Sequence, residues 1–93
     1  MNWYSIRFTH NQVRHGKDRS FIQEFKVLCD QLKKPDGLSL FKDNHRLNHY
    51  QFYFLRTPEN FPFDAEKLFA HNAEVYRTFP PAVMMLEPIE GDY

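Results

Sequence analysis

The stretch Val13-Arg14-His15-Gly16-Lys17-Asp18-Arg19-Ser20 holds residues able to handle an anion. Arg14, Lys17 and Arg19 bring positive charge, Gly16 permits close approach to the backbone, and Ser20 adds a hydroxyl. The stretch joins a strand to a helix, and the free N–H groups at a helix N-terminus favour negative charge. Arg14, Gly16, Lys17, Arg19 and Ser20 would therefore suit a phosphate-like group. The extra glycines of a phosphate cradle are missing, and neither G-x-x-x-x-G-K-[ST] nor G-x-G-x-x-G occurs in the chain. A solvated basic loop is the simpler reading, because basic clusters are common on protein surfaces.

Other reactive side chains are scattered. Of the five histidines, His45 and His49 stand four apart, which is a metal-ligand spacing on a helix. They fall in a turn entering a strand, where the same spacing separates them, and no cysteine or carboxylate completes a tetrahedral set. Cys29 lies on the apolar stripe of a helix and reads as a small buried hydrophobe. Glu87 and Glu90 fall in a polar tail, a poor support for acid–base geometry. No reaction is assigned by these residues; no metal or other cofactor is expected, and a non-enzymatic role is favoured.

Composition narrows the classes further. Apolar residues make up 42% and charged residues 26%, as in ordinary globular proteins. Twelve basic residues balance twelve acidic ones, leaving no bulk field to draw nucleic acid or an anionic membrane. Apolar runs are too short to span a bilayer, and the opening Met1-Asn2-Trp3-Tyr4, with neither a basic nor an apolar run, does not read as a signal peptide. A single cysteine excludes an internal disulfide and suits a reducing cytoplasm. The expected location is cytoplasmic.

The elements that must position these residues follow from periodicity. Trp3 to Phe8 alternates as a strand. Thr9 to Arg19 reads as a loop, after which Ser20 and Gln23 form a capping box for a first helix. Phe21, Phe25, Leu28, Cys29 and Leu32 make its apolar stripe, and Pro35-Asp36-Gly37 ends it. Leu38 to Lys42 and His49 to Leu55 read as a hairpin pair of strands. Asp64 caps a second helix that ends near Asn72. Glu74 to Phe79 is extended, and Val83 to Leu86 makes the last strand of the sheet. Residues 87–93 read as a flexible tail of one domain spanning 1–93. The order β-α-β-β-α-β predicts an α+β, ferredoxin-like split βαβ fold, with a four-stranded antiparallel sheet and two helices on one face.

That topology leaves one sheet face open. With Tyr4, Ile6, Phe8, Leu38, Leu40, Tyr50, Phe52 and Phe54 turned to the helices, Trp3, Arg7, Phe41, His49, Gln51, Tyr53 and Leu55 face away. Trp3, Phe41, Tyr53 and Leu55 would form an apolar patch ringed by Arg7, His49 and Gln51, which marks an interface. RNA-recognition domains share this topology and stack bases on this face. Their K/R-G-F/Y-G/A-F-V-x-F/Y strand is not matched by Asn48 to Leu55, which lacks the leading base, both small positions and the final aromatic. Nucleic acid is therefore not the expected partner. The expectation is a binding module that uses this face for a homodimer or a protein partner, with no membrane. The alternative is a small enzyme or ligand-binding protein that uses residues 14–20 as an anion site.

Overall fold

The computed structural model describes residues 1–44 and 50–89. It is a small α+β protein built on an antiparallel sheet. The alternating segment forms β1 (Asn2–Thr9). The stretch after it, expected as a loop, is mostly helical. Thr9 and Gln12 form the capping box: Thr9 Oγ1 accepts from the Gln12 N–H (3.2 Å), and Gln12 Oε1 accepts from the Thr9 N–H (2.7 Å). This starts α1 (His10–Arg14). Gly16 then turns the chain at φ 72°, a left-handed conformation that suits glycine, and α2 runs Lys17–Gln31. The Ser20 N–H donates to the Gly16 carbonyl at 3.0 Å, so Ser20 lies inside α2 and does not cap it. The pattern S/T-x-x-Q occurs at Thr9–Gln12 and again at Ser20–Gln23; the first copy is the one that caps a helix.

β2 (Ser39–Asp43) and β3 (Tyr50–Thr57) are antiparallel neighbours. β3 also pairs with β1, and its register decides both faces of the sheet. Tyr4 pairs with Leu55 and Ile6 with Tyr53. Tyr53 and Leu55 are each 1% exposed and lie in the core with Ile6, Phe8, Leu40, Phe21 and Phe25. This corrects the expected placement by one residue: Tyr53 and Leu55 turn to the helices, and so does Gln51, the partner of Phe8. Tyr50, Phe52, Phe54 and Arg56 take the other face. Both sides of this strand are aromatic, so alternation alone does not choose between them. Arg56 does, because the inverted register would aim its guanidinium at the core, where desolvating it costs far more than exchanging a Tyr for a Phe.

The sheet has five strands, not four, in the order β4-β1-β3-β2-β5. After the short α3 (Glu66–Phe69), where Asp64 Oδ1 accepts the Glu66 N–H at 3.0 Å, Asn72 adopts φ 61° and ends the helical turns. β4 (Glu74–Thr78) pairs with β1. The segment expected as the last strand begins instead with a single 3-10 turn (Val83–Met85), followed by β5 (Leu86–Pro88) on β2. Pro88 cannot donate to a ladder, which fits an edge strand. Part of the expected tail is thus held in place: Glu87 and Pro88 belong to β5, and the Ile89 N–H donates to the Leu40 carbonyl at 2.9 Å.

The register makes a direct prediction about stability. Tyr53→Ala should cost about 3–5 kcal/mol in urea denaturation, and Phe52→Ala no more than about half of that. The reverse order would mean that β3 is shifted by one residue.

Candidate functional site

Two surfaces lie on opposite sides of the sheet. On the helix side, a cleft of about 620 Å³ opens between the start of α2 and the β2–β5 edge. Among its lining residues Tyr53 (1% exposed) and Asp18 (7%) are the most buried and form its floor. The Tyr53 hydroxyl donates to Asp18 Oδ2 at 2.8 Å. Asp18 Oδ1 is buried and has no hydrogen-bond partner among the described residues. Arg14, Arg19, Lys42 and Glu87 stand around this pair, while Val13, Ile22 and Ile89 give the cleft apolar walls. Alternation brings the strand residues to this side: Lys42 pairs with Tyr53 on one flank and with Glu87 on the other.

The residues expected to hold an anion are only partly gathered here. Arg14 ends α1 and Arg19 lies in the first turn of α2, and both line the cleft. Gly16, Lys17 and Ser20 do not. The Asp18 carboxylate already sits in the first turn of α2, where the helix dipole favours negative charge. A bare anion at that helix end would meet its repulsion.

On the other side of the sheet lie Trp3, Arg7 and Phe41, with Phe52, Phe54, Tyr50 and Arg56 from β3. Trp3 and Phe41 stack at 5.6 Å between centroids. The Arg56 guanidinium stands 5.8 Å from Trp3 and 5.6 Å from Phe41. It is held there by donating to the Gly37 carbonyl (3.2 Å) and Ser39 Oγ (3.0 Å). Towards the other end, Arg7 pairs with Glu74 and lies over the Tyr50 ring at 4.5 Å. The Tyr76 hydroxyl donates to the same Glu74 carboxylate at 2.8 Å. His49 and His45 lie outside the described residues.

Thr78 stands beside Trp3 at one end of the sheet, and Leu86 beside Asp43 at the other end and on the opposite edge. The strap of residues 79–85 joins these two corners of the sheet. Trp3, stacked on Phe41 beside Arg56, is only 9% exposed on a face without helices. The strap turns Phe79 (88% exposed), Met84 (92%) and Met85 (42%) to solvent.

No family model, curated protein or solved structure matches the chain. Its own geometry is therefore the basis for any functional reading. Among the described residues no group of three or more His, Cys, Asp or Glu side chains could hold a metal ion. No helix among them is long and apolar enough to cross a membrane.

Several of the residues that build these surfaces escape sequence reasoning. Asp18 and Tyr53 are far apart in the chain and meet only when α2 starts at Lys17 and β3 takes its observed register. Lys42 and Glu87 depend on β5, which carries one proline in three residues and so gives no strand signal. Arg56 was legible: continuing β3 by one residue places a charge on whichever side is not the core.

Glu74 governs the exposed end of the sheet face. The Tyr76 phenol is raised above its ordinary 10.0, chiefly because its O–H donates to Glu74, and because a phenolate would face the Glu74 charge. With the folded value raised, this hydrogen bond is fully present below pH 10.0 and is lost as pH rises through the folded value. In ultraviolet titration, the Tyr76 ionisation identified by its absence in Tyr76→Phe should move down towards 10.0 in Glu74→Gln.

Proposed function

We propose that this protein is a binding module whose contact surface is the exposed strap of residues 79–85 together with the Trp3 side of the sheet, and that its partner is a second copy of itself. Phe79 and Met84 carry the reading. Large apolar side chains that are 88% and 92% exposed give up contact with water on association and lose little on folding. Tyr50 and Tyr76, 40% and 56% exposed on the Trp3 side of the sheet, add residue types common at binding hot spots.

A second copy suits the charge. The patch carries Arg7 beside Glu74, so a two-fold pairing can set the arginine of one protomer against the glutamate of the other. A formal net charge of zero adds no repulsion between copies. The mixed signs and neutral balance favour protein over nucleic acid.

The strand order β4-β1-β3-β2, with α2 following β1 and α3 following β3, supports a ferredoxin-like split βαβ core to which β5 is added at one edge. The single cysteine, half-buried on α2, suits a reducing cytoplasm.

Light scattering at high micromolar concentration should give twice the 11.3 kDa monomer mass. Phe79→Ser/Met84→Ser should return the chain to the monomer while leaving that monomer folded, because neither side chain is buried within it. A wild-type monomer would overturn self-association, and a dimer indifferent to both substitutions would remove Phe79 and Met84 as its contact. Titration of the Tyr50 and Tyr76 signals by a single-stranded oligonucleotide, with the chain monomeric, would reassign the face to nucleic acid.

A further inference from the structure

The cleft over Asp18 is independent of the Trp3 face and lies on the other side of the sheet. We propose that it binds a small ampholyte: a molecule that joins an N–H donor group to a carboxylate or phosphate. The donor would sit against the Asp18 carboxylate, and the anionic end among Arg14, Arg19 and Lys42.

Four observations carry this. First, Asp18 is a carboxylate only 7% exposed, and its hydrogen bond to Tyr53 does not require the charge. Asparagine would accept the same hydrogen bond from Tyr53 without the penalty of burying an ion. Second, that carboxylate is half satisfied. Tyr53 donates to Oδ2, and Oδ1 has no partner among the described residues. A buried acceptor in that condition costs stability, which a ligand donor would recover once the side chain turns Oδ1 towards the cleft. Third, the charge at the mouth is mainly opposite to that of the floor. Asp18 lies on the floor, while Arg14 and Arg19, both exposed, stand at the mouth with Lys42 on β2, where Glu87 beside Lys42 is the single acid among them. A bare anion would be attracted by the mouth and repelled by the floor; a bare cation would meet the reverse. A ligand carrying both ends satisfies both. Fourth, the volume of about 620 Å³ falls within the range of small-molecule sites, and Val13, Ile22 and Ile89 supply apolar wall.

Two kinds of molecule share this chemistry. A nucleotide offers the amino and imino N–H groups of its base together with phosphate. An α-amino acid offers ammonium together with carboxylate. Guanosine monophosphate and glutamine are the probes that separate them, with guanosine and inorganic phosphate as the two halves of the first.

The test is amide chemical-shift titration of the full chain. At millimolar concentration one of the two ampholytes should move the signals of Arg14 to Ile22 and of Lys42 and Asp43, and should do so more tightly than either guanosine or phosphate alone. Asp18→Asn should keep the fold and bind at least tenfold more weakly. Arg14→Ala/Arg19→Ala, which alters only exposed side chains, should also lose at least tenfold in affinity. Should Asp18→Asn fail to fold, this second variant still decides the question. The proposal is overturned if neither ampholyte shifts those signals, if phosphate alone binds as well as guanosine monophosphate, or if binding survives either substitution unchanged.

Discussion

The hydrogen bond from Tyr53 to Asp18 ties the central strand to the first turn of α2, and the rest of the structure depends on the register it accompanies. β3 has a neighbour on each side, β1 and β2, so its register is shared by three strands. A slip of one residue would turn Tyr53, Leu55 and Thr57 out of the core and bring Phe52, Phe54 and Arg56 in. The exchange of aromatics would be tolerable. Burying Arg56 and leaving Asp18 without the Tyr53 hydroxyl would not be, because each strands a charged group in a dry environment. Polar groups thus specify a register that apolar groups leave open.

Both surfaces follow from that choice. With Tyr53 inward, its hydroxyl reaches Asp18, and the floor of the cleft is formed. With Arg56 outward, its guanidinium lies by Trp3 and Phe41 and is fixed to Gly37 and Ser39. Glu87 faces the cleft, and the strap that precedes β5 carries exposed apolar surface at Phe79 and Met84. The proposed binding role rests on those strap residues as much as on the sheet.

Much of the framework was legible in the sequence. The alternation of Trp3 to Phe8 identified β1, and Leu38 and Leu40 identified the inward side of β2. Phe21 and Phe25 marked the buried stripe of α2, although Leu32, assigned to the same stripe, is 44% exposed where the helix ends. The start of α2 was misplaced because two capping patterns compete, and a glycine at positive φ lets the helix begin earlier. The faces of β3 were inverted because Tyr50 to Leu55 is apolar at nearly every position, which removes the signal that alternation supplies. β5 was missed because three residues ending in proline carry no strand pattern. Its pairing is a tertiary event, set by where the strap can reach. Of the candidate site residues, Trp3, Arg7 and Phe41 share one face, Arg14 and Arg19 share the cleft, and Tyr53 moves from the first surface to the second.

The most direct test of the account is a map of proton–proton contacts in solution from an aromatic-edited nuclear Overhauser experiment. The account predicts contacts from the Tyr53 ring to the rings of Phe8 and Phe21, which stand 5.8 and 6.5 Å away between centroids. It also predicts contact between the Trp3 and Phe41 rings and none from Phe52 or Phe54 to Phe21 or Phe25. Contacts from Phe52 or Phe54 to Phe21, with Tyr53 contacting Trp3 or Phe41, would contradict the register and with it both surfaces.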